Sequence, residues 1–276
     1  MPDVGELAVL ATDMARRAGR LLVDGVARAH HAVQTKSSPT DMVTEMDRAS
    51  EALIRATIAQ QRPGDAVLGE EEGSLTGSTG VRWIVDPLDG TTNYLYGLPV
   101  WSVSVAAEVN GVVEVGVVFD PSRDELFRAE RGRGATVNGR TLRVVGADDL
   151  ATALVGTGFA YDAEARARQA AWAAHVIPRV RDIRRAGSAA VDLCWVAAGR
   201  MDAYYEQGTR IWDFAAGALI ATEAGAWVGG FAGGPPSTDG GLVAAAPQLA
   251  GPLRRLLLAA GAPAERPETD VAIEPL

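Results

Sequence analysis

The sequence predicts a layered α/β fold, an α+β sandwich of sheets and helices. Three observations predict it. Apolar residues recur at helical spacing in two N-terminal segments. They alternate with polar residues around Asn-Gly turns in the middle, and the last third alternates strand-like and helix-like stretches.

In residues 5–27, Leu7, Leu10, Met14, Ala18, Leu21 and Leu22 share one helical face. Residues 45–61 repeat the pattern with Met46, Ala49, Leu53 and Ile58. Arg62-Pro63-Gly64 ends that helix, because proline cannot continue it. A polar loop, residues 34–40, separates the two helices. Residues 66–69 and 82–86 read as short buried strands, each running into acidic residues. Residues 100–109 alternate, Asn110-Gly111 marks a hairpin, and residues 112–119 return. Asn138-Gly139 lies among short strands over 125–145. Beyond these the sequence predicts a strand at 153–157, helices at 163–181 and 188–199 and a strand at 202–206. A helix at 213–224, a strand at 241–245 and a helix at 248–260 complete the pattern. We expect one folded unit over residues 1–276, with subdomains of about 1–150 and 151–262 sharing a cleft and a flexible Pro/Glu-rich tail at 263–276.

With 276 residues, 47% of them hydrophobic, the chain can bury a substantial core. A net charge of -9 and a pI of 4.9 exclude a general nucleic-acid binder, since no basic stripe offsets the acid. An anionic ligand would need local cations, either metal ions or an arginine cluster. The single cysteine, Cys194, lies in an apolar helical run and reads as core. It permits no intramolecular disulfide, which fits a reducing cytoplasm. Asp13, Arg16 and Arg17 interrupt the N-terminal apolar pattern, so neither a signal peptide nor a membrane span is expected.

Four acidic segments carry the chemistry: Asp41-Met-Val-Thr44-Glu45-Met-Asp47, Gly69-Glu70-Glu71, Asp86-Pro87-Leu88-Asp89-Gly90-Thr91-Thr92-Asn93 and Trp212-Asp213-Phe-Ala-Ala-Gly217. Three have plain structural readings taken alone. Thr44 and Asp47 resemble a helix cap, Glu70 and Glu71 a solvated strand end, and Asp213 a cap for the helix after it. The third segment is different. Pro87 biases Asp86 away from helical geometry, so Asp86 projects from a strand end. Gly90 permits a tight turn, and Thr91, Thr92 and Asn93 offer hydroxyls, an amide and backbone N–H groups where phosphate binds well. Asp86 and Asp89 would repel each other unless a cation joins them. An Asx turn does not explain two acids leading into such a turn. Oxygen ligands suit Mg²⁺ or Mn²⁺. The histidines, His30, His31 and His175, lack zinc spacing, and neither a Gly-x-Ser-x-Gly elbow nor a Walker A loop is present.

With these segments the chain resembles the inositol monophosphatase family of the lithium-sensitive phosphatase superfamily, in its bacterial inositol-1-monophosphatase form. The resemblance covers about residues 5–260 and is most specific over Trp83-Ile-Val-Asp-Pro-Leu-Asp-Gly-Thr-Thr-Asn93. It is supported by Gly69-Glu-Glu, by the run Gly187-Ser-Ala-Ala-Val-Asp-Leu-Cys-Trp through Tyr-Tyr-Glu206, and by Trp212-Asp-Phe-Ala-Ala-Gly217. It implies the inositol monophosphatase/fructose-1,6-bisphosphatase-like fold and Mg²⁺-dependent hydrolysis of a phosphate monoester, myo-inositol 1-phosphate, without a phosphoenzyme. It also implies lithium sensitivity and a homodimer. Glu70, Asp86, the Leu88 carbonyl and Thr91 would contact a first metal, and Asp86, Asp89 and Asp213 a second. A weaker third ion would lean on Glu70 through water. Thr91, bonded to Asp47, would help Glu70 activate water, while the Gly90 and Thr91 N–H groups hold phosphate. Glu206, with Asp89, Gly187, Ser188, Ala189 and Asp213, would face the alcohol. Lys36 matches a loop lysine near the third metal. Tyr94 stands where the family often has phenylalanine, residues 156–168 match no substrate motif, and the surface loop 73–80 is unmatched and expected to be flexible.

A haloacid-dehalogenase-type phosphatase places its two aspartates two apart. Here they are three apart with proline between, which favours metal-activated water. Histidinol phosphate, fructose 1,6-bisphosphate and 3'-phosphoadenosine phosphates are the rival substrates, with histidinol phosphate next after inositol 1-phosphate. A regulatory protein on a phosphatase scaffold is the reading from another class. It would be expected to have lost Glu70, Asp86, Asp89, Thr91 or Asp213, and all five are present.

Overall fold

The structure, a computed structural model, describes residues 2–29, 33–35 and 42–264. Lys36, Asp41, His30, His31 and the tail from residue 265 lie outside the described residues. The first half contains α1 (Val4–Ala29), β1 (Val33–Thr35), β2 (Met42–Thr44), α2 (Glu45–Gln61), β3 (Ala66–Gly69), β4 (Gly73–Leu75), β5 (Val81–Asp89), α3 (Thr91–Leu95), β6 (Ser102–Val109), β7 (Val112–Asp120), β8 (Glu125–Glu130), β9 (Ala135–Val137) and β10 (Arg140–Thr141). The second half contains β11 (Leu154–Thr157), α4 (Ala163–Val176), β12 (Asp182–Arg184), α5 (Ala189–Ala197), β13 (Ala203–Glu206), α6 (Ile211–Glu223), β14 (Trp227–Gly229), β15 (Leu242–Ala245) and α7 (Pro247–Ala259). Among the described residues no helix is long and apolar enough to cross a membrane.

These elements stack in five layers. An eight-stranded sheet of order β10-β9-β8-β7-β6-β5-β3-β4 takes α1 and α2 on one face and α6 on the other. A five-stranded sheet of order β12-β11-β13-β15-β14 lies beyond α5 and α6, with α4 and α7 outside it. Each interface has its own apolar core. Leu7, Met14, Leu22 and Ile54 meet Trp83 and Val105 in one. Leu193, Leu219 and Ile220 join the sheets in another, with Phe127 on one side and Tyr204 on the other. Trp172, Val176 and Leu253 meet Val155 and Phe231 in the third. Such layering follows from strands that are apolar on both faces and therefore need helices on both sides. Residues 142–153 connect β10 of the first sheet to β11 of the second and contain a 3₁₀ turn at Leu150–Thr152.

Several elements differ from the sequence reading. The helix expected over 163–181 stops at Val176. Pro178 turns the chain into a short 3₁₀ segment, and residues 182–184 then pair in parallel with β11. The strand expected over 82–86 continues to Asp89. The loop expected over 73–80 begins with β4, which pairs antiparallel with β3. Like β14, β4 has three residues, too few for a periodic signal.

β7 approaches α6 so closely that a Cβ on Gly116 would lie 2.6 Å from the Ala216 carbonyl oxygen. Gly116→Ala should therefore destabilise the protein by about 1–3 kcal/mol in denaturant unfolding, the range for overpacking a tight contact. A neutral result would mean that the two layers separate more easily than this contact implies.

Candidate active site

The parallel register of β3 and β5 brings the first two acids together. Gly69 is opposite Val85, so Glu70 and Asp86 follow as neighbours at the C-terminal ends of adjacent parallel strands. Asp89 arrives by a different device. In a regular strand, residues three apart face opposite sides. Here Asp86 pairs with Ser104 and Asp89 with Ser102, so three steps on β5 match two on β6. This one-residue bulge turns Asp89 back towards the side that Asp86 faces. Asp86 Oδ1 accepts the Leu88 N–H at 3.0 Å, and Ser50 Oγ on α2 donates to the Pro87 carbonyl at 2.9 Å, so both ends of the bulge are held.

The chain then turns at Gly90, whose φ of 93° suits glycine. A Cβ there would also lie 2.9 Å from the Val100 carbonyl oxygen. Thr91 opens α3, and its Oγ1 lies 3.1 Å from both Asp47 Oδ1 and the Leu88 carbonyl. Asp47 is in the first turn of α2 and buried. Its carboxylate is a partner of Thr91 across the molecule, which a capping reading of the Thr44–Asp47 stretch does not foresee. Asn93 also departs from expectation. Its amide donates to the Val100 and Ala186 carbonyls at 2.7 and 2.8 Å, so it ties two loops together and does not offer that amide to a ligand.

Asp213 stands three residues into α6, and its Oδ2 accepts the Arg210 N–H at 2.6 Å. The capping role foreseen for it is therefore real, yet the same carboxylate lines the cleft. Asp89 Oδ2 accepts from Ser188 Oγ at 2.6 Å and from the Ala190 N–H at 2.7 Å, which fixes it against the N-terminus of α5. Glu206 ends β13 and accepts the Tyr204 hydroxyl at 2.5 Å. A cleft of about 530 Å³ gathers Glu70, Asp86, Leu88, Asp89, Gly90, Thr91, Gly187, Ala189, Glu206 and Asp213. Ser188 is buried behind it, joined to Asp89. A larger hollow of about 960 Å³ lies against α1, where Glu130 is paired with Arg128 and Arg133 and Asp13 with Arg17.

The cleft carries an excess of negative charge. Burial first, then Glu70, Asp89 and Asp213, push the Asp86 carboxyl well above its ordinary range. Burial first, then Asp89 and Glu70, do the same to Asp213. Burial raises Asp89 to about 6 against the opposing hydrogen bonds from Ser188 and Ala190, and it raises Glu206 to about 7. Among the described residues no three His, Cys, Asp or Glu side chains are drawn closely enough together to enclose an ion as they stand. The donor chemistry nonetheless fits a hard cation, with carboxylates and one carbonyl facing a common space and repelling one another.

Sequence reasoning missed several residues of this region. Arg185 lines the cleft, and its charge favours ionised Asp89 and Glu206. The acidic net charge had called for such a cation without locating it. Gln169 is buried on α4, accepts the Ala160 N–H at 2.7 Å and donates to the Gln207 carbonyl at 2.9 Å, joining two loops of the cleft wall. Gly158 has no legible motif, yet a Cβ there would lie 1.8 Å from Glu206 Oε2.

A sequence model of the inositol monophosphatase family matches residues 3–262. The chain belongs to the inositol monophosphatase family. Among family members, the Mycobacterium tuberculosis protein named inositol-1-monophosphatase SuhB is 50% identical over 248 residues, spanning 85% of each chain. The Escherichia coli protein named Nus factor SuhB is 42% identical over 230 residues, covering 82% of this chain and 85% of its own. The crystal structure of extragenic suppressor protein suhB from Bartonella henselae superposes with a TM-score of 0.86 at 36% identity, covering 91% of this chain and 98% of that one. The sandwich expected from the sequence is thus the fold of the family.

The raised carboxyls set a pH dependence. A group whose folded pKa lies above its unfolded value stabilises the fold below the unfolded pKa, and that contribution is lost as pH rises through the folded one. For Glu206 and Asp89 the loss falls between the ordinary carboxylate range and about 7. The metal-free protein should therefore melt higher at about pH 5.5 than at about pH 8, by on the order of 1 kcal/mol or about 2–4 °C after solvent screening. A metal-free Tm that rises over this interval would contradict the electrostatics described.

Proposed function

We propose that this protein is a Mg²⁺-dependent phosphomonoesterase acting on myo-inositol 1-phosphate, releasing inositol and phosphate. The observation that carries this reading is the convergence of Glu70, Asp86, Asp89 and Asp213 on one cleft beside the Asp47–Thr91 contact. Glu70, Asp86, the Leu88 carbonyl, Asp89 and Asp213 would hold two Mg²⁺ ions, with Mn²⁺ as the alternative and a weaker third ion near Glu70. When bound, these ions would supply countercharge and Lewis acidity for attack by water.

The chain's own groups have distinct tasks. Thr91 Oγ1 donates towards Asp47 or the Leu88 carbonyl, which leaves its lone pairs free to accept a hydrogen bond from the attacking water. Glu70 would take the proton that this water gives up. The Gly90 and Thr91 N–H groups would hold the phosphoryl oxygens, where charge accumulates as the new P–O bond forms and the alcohol–phosphorus bond breaks. Asp89, Gly187, Ser188, Ala189 and Asp213 would shape the wall facing the alcohol. Glu206, raised to about 7, can donate to or accept from a polyol hydroxyl near neutrality. This suits a polyol such as inositol, and histidinol phosphate is the alternative substrate.

Thr91→Ala should lower kcat by about 10²–10³ with a smaller change in KM, because the lost contact acts on the attacking water. A phosphate-release panel with Mg²⁺ tests the substrate, and a strong preference for histidinol phosphate would overturn the inositol assignment. Lithium at limiting Mg²⁺ should inhibit, since a monovalent ion offers less charge to the leaving oxygen; activity indifferent to lithium would count against the second metal position. We further propose a cytoplasmic homodimer without nucleic-acid or membrane partners, which light scattering tests by its mass. The name Nus factor on the Escherichia coli relative supports a regulatory reading. Asp86→Asn separates the two, for a variant without hydrolysis that still met the cell's need would favour regulation.

A further inference from the structure

One face of α2 reaches three separate parts of the cleft. Asp47 meets Thr91, Ser50 meets the Pro87 carbonyl, and Glu51 Oε2 accepts the Glu71 N–H at 2.7 Å while its Oε1 accepts the Glu72 N–H at 3.0 Å. Positions 47, 50 and 51 share a face at helical spacing, and all three are buried. Further along that face come Ile54 and Ile58. Where the helix passes the acids its buried side chains are thus mostly polar, and further along Thr57, paired with Arg17 and the Leu53 carbonyl, interrupts the apolar ones.

Glu51 is the unexpected member. It has no solvent exposure, and it lies in a sequence stretch that reads as ordinary helix. Burying a carboxylate is costly unless donors surround it. Here the two N–H groups are joined by Arg55 Nε at 2.7 Å, and Arg55 also donates to the Gly73 carbonyl at 2.5 Å. A Cβ on Gly69 would lie 2.3 Å from Glu51 Oε1, so the turn closes directly on this carboxylate. Glu70 lies between Gly69, which touches Glu51, and Glu71, which donates to it. Its backbone is held on both sides. A buried ion pair contributes little to stability compared with apolar packing. What a carboxylate adds at this position is direction, two acceptors aimed at two successive N–H groups.

We propose that Glu51 is a positioning residue that holds the Gly69–Glu72 turn so that the Glu70 carboxylate stays beside Asp86, and that Arg55 locks Glu51 in place. This rests on the metal-dependent reading of the site. In metal centres, partners behind the ligands commonly change affinity by about 10–100-fold.

The test is Glu51→Gln, a variant of equal shape in which an amide replaces one acceptor. Mg²⁺ binding is measured by calorimetry without substrate, beside kcat and KM for inositol 1-phosphate across Mg²⁺ concentrations. The expected result is an apparent Mg²⁺ Kd raised about 10-fold or more, with kcat largely recovered at saturating Mg²⁺ and KM little changed. Hydrogen exchange should quicken at the Glu71 and Glu72 amides before it does in the strands. A folded Glu51→Gln protein with the wild-type Mg²⁺ Kd would overturn the proposal. Should that variant fail to fold, Arg55→Lys replaces it. A smaller rise in Kd is then expected, and an unchanged Kd is fatal to the proposal. Wild-type protein that neither binds Mg²⁺ nor releases phosphate would instead defeat the functional reading, and this inference with it.

Discussion

Carboxylates brought into a half-buried cleft repel one another, and the surrounding protein must hold them there. Asp86 is 2% exposed and feels the charges of Glu70, Asp89 and Asp213. Left to side-chain freedom alone, such groups would splay towards water or take up protons. They are held by backbone geometry and by hydrogen bonds from outside the cluster. The Leu88 N–H fixes Asp86, Ser188 and Ala190 fix Asp89, and the Arg210 N–H fixes Asp213. The bonds to Asp86 and Asp213 are local to their own elements, whereas those to Asp89 come from the N-terminus of α5. The acids themselves lie on β5, on α6 and just after β3, so the layers have to be correctly stacked before they can face one another.

That dependence accounts for the irregular end of β5. β3 and β5 are the parallel pair of the eight-stranded sheet, and their register delivers Glu70 next to Asp86. The bulge in β5 falls between Asp86 and Asp89, where a regular strand would send the second acid to the wrong side. Gly90 takes its positive φ immediately after the bulge. A bulge and a positive φ thus fall together at the cleft, while the β6–β7 pair has its own register shift between Ala107 and Glu108, towards the other end of β6.

Much of this was legible in the sequence because the signals were local. The Asp86–Asn93 segment announced its turn through Pro87 and Gly90, and the Asn-Gly hairpins and amphipathic α1 and α2 obeyed short-range rules. Pro178 was an equally local signal for the end of α4 and was outweighed there by the helical pattern around it. Glu51, Gln169 and Gly158 could not be read in this way. Glu51 belongs to a charged helical stretch that looks solvent-facing until its 0% exposure is known. Gln169 sits among alanines and arginines, and Gly158 matters only because β13 brings Glu206 against it. Their roles arise from contacts between residues far apart in the chain, which periodicity does not encode.

The two halves of the cleft are supported from opposite sides of the molecule. α2 and the eight-stranded sheet support Glu70, Asp86 and Thr91, through Glu51, Ser50 and Asp47. α4 and the five-stranded sheet support the opposite wall, through Gln169 and Tyr204. Asp89 is the seam, since it rises from β5 of the first sheet and is held by α5, which packs against the second. Changes in α4 or in residues 158–161 can therefore reshape the wall around Glu206 without moving the acids on β3 and β5. On the proposed mechanism Asp89 and Asp213 take part both in holding the metals and in facing the alcohol, whereas Glu206 and residues 158–161 face the alcohol alone. One arrangement of carboxylates can then serve different phosphate esters, with the alcohol tuned by the wall around Glu206.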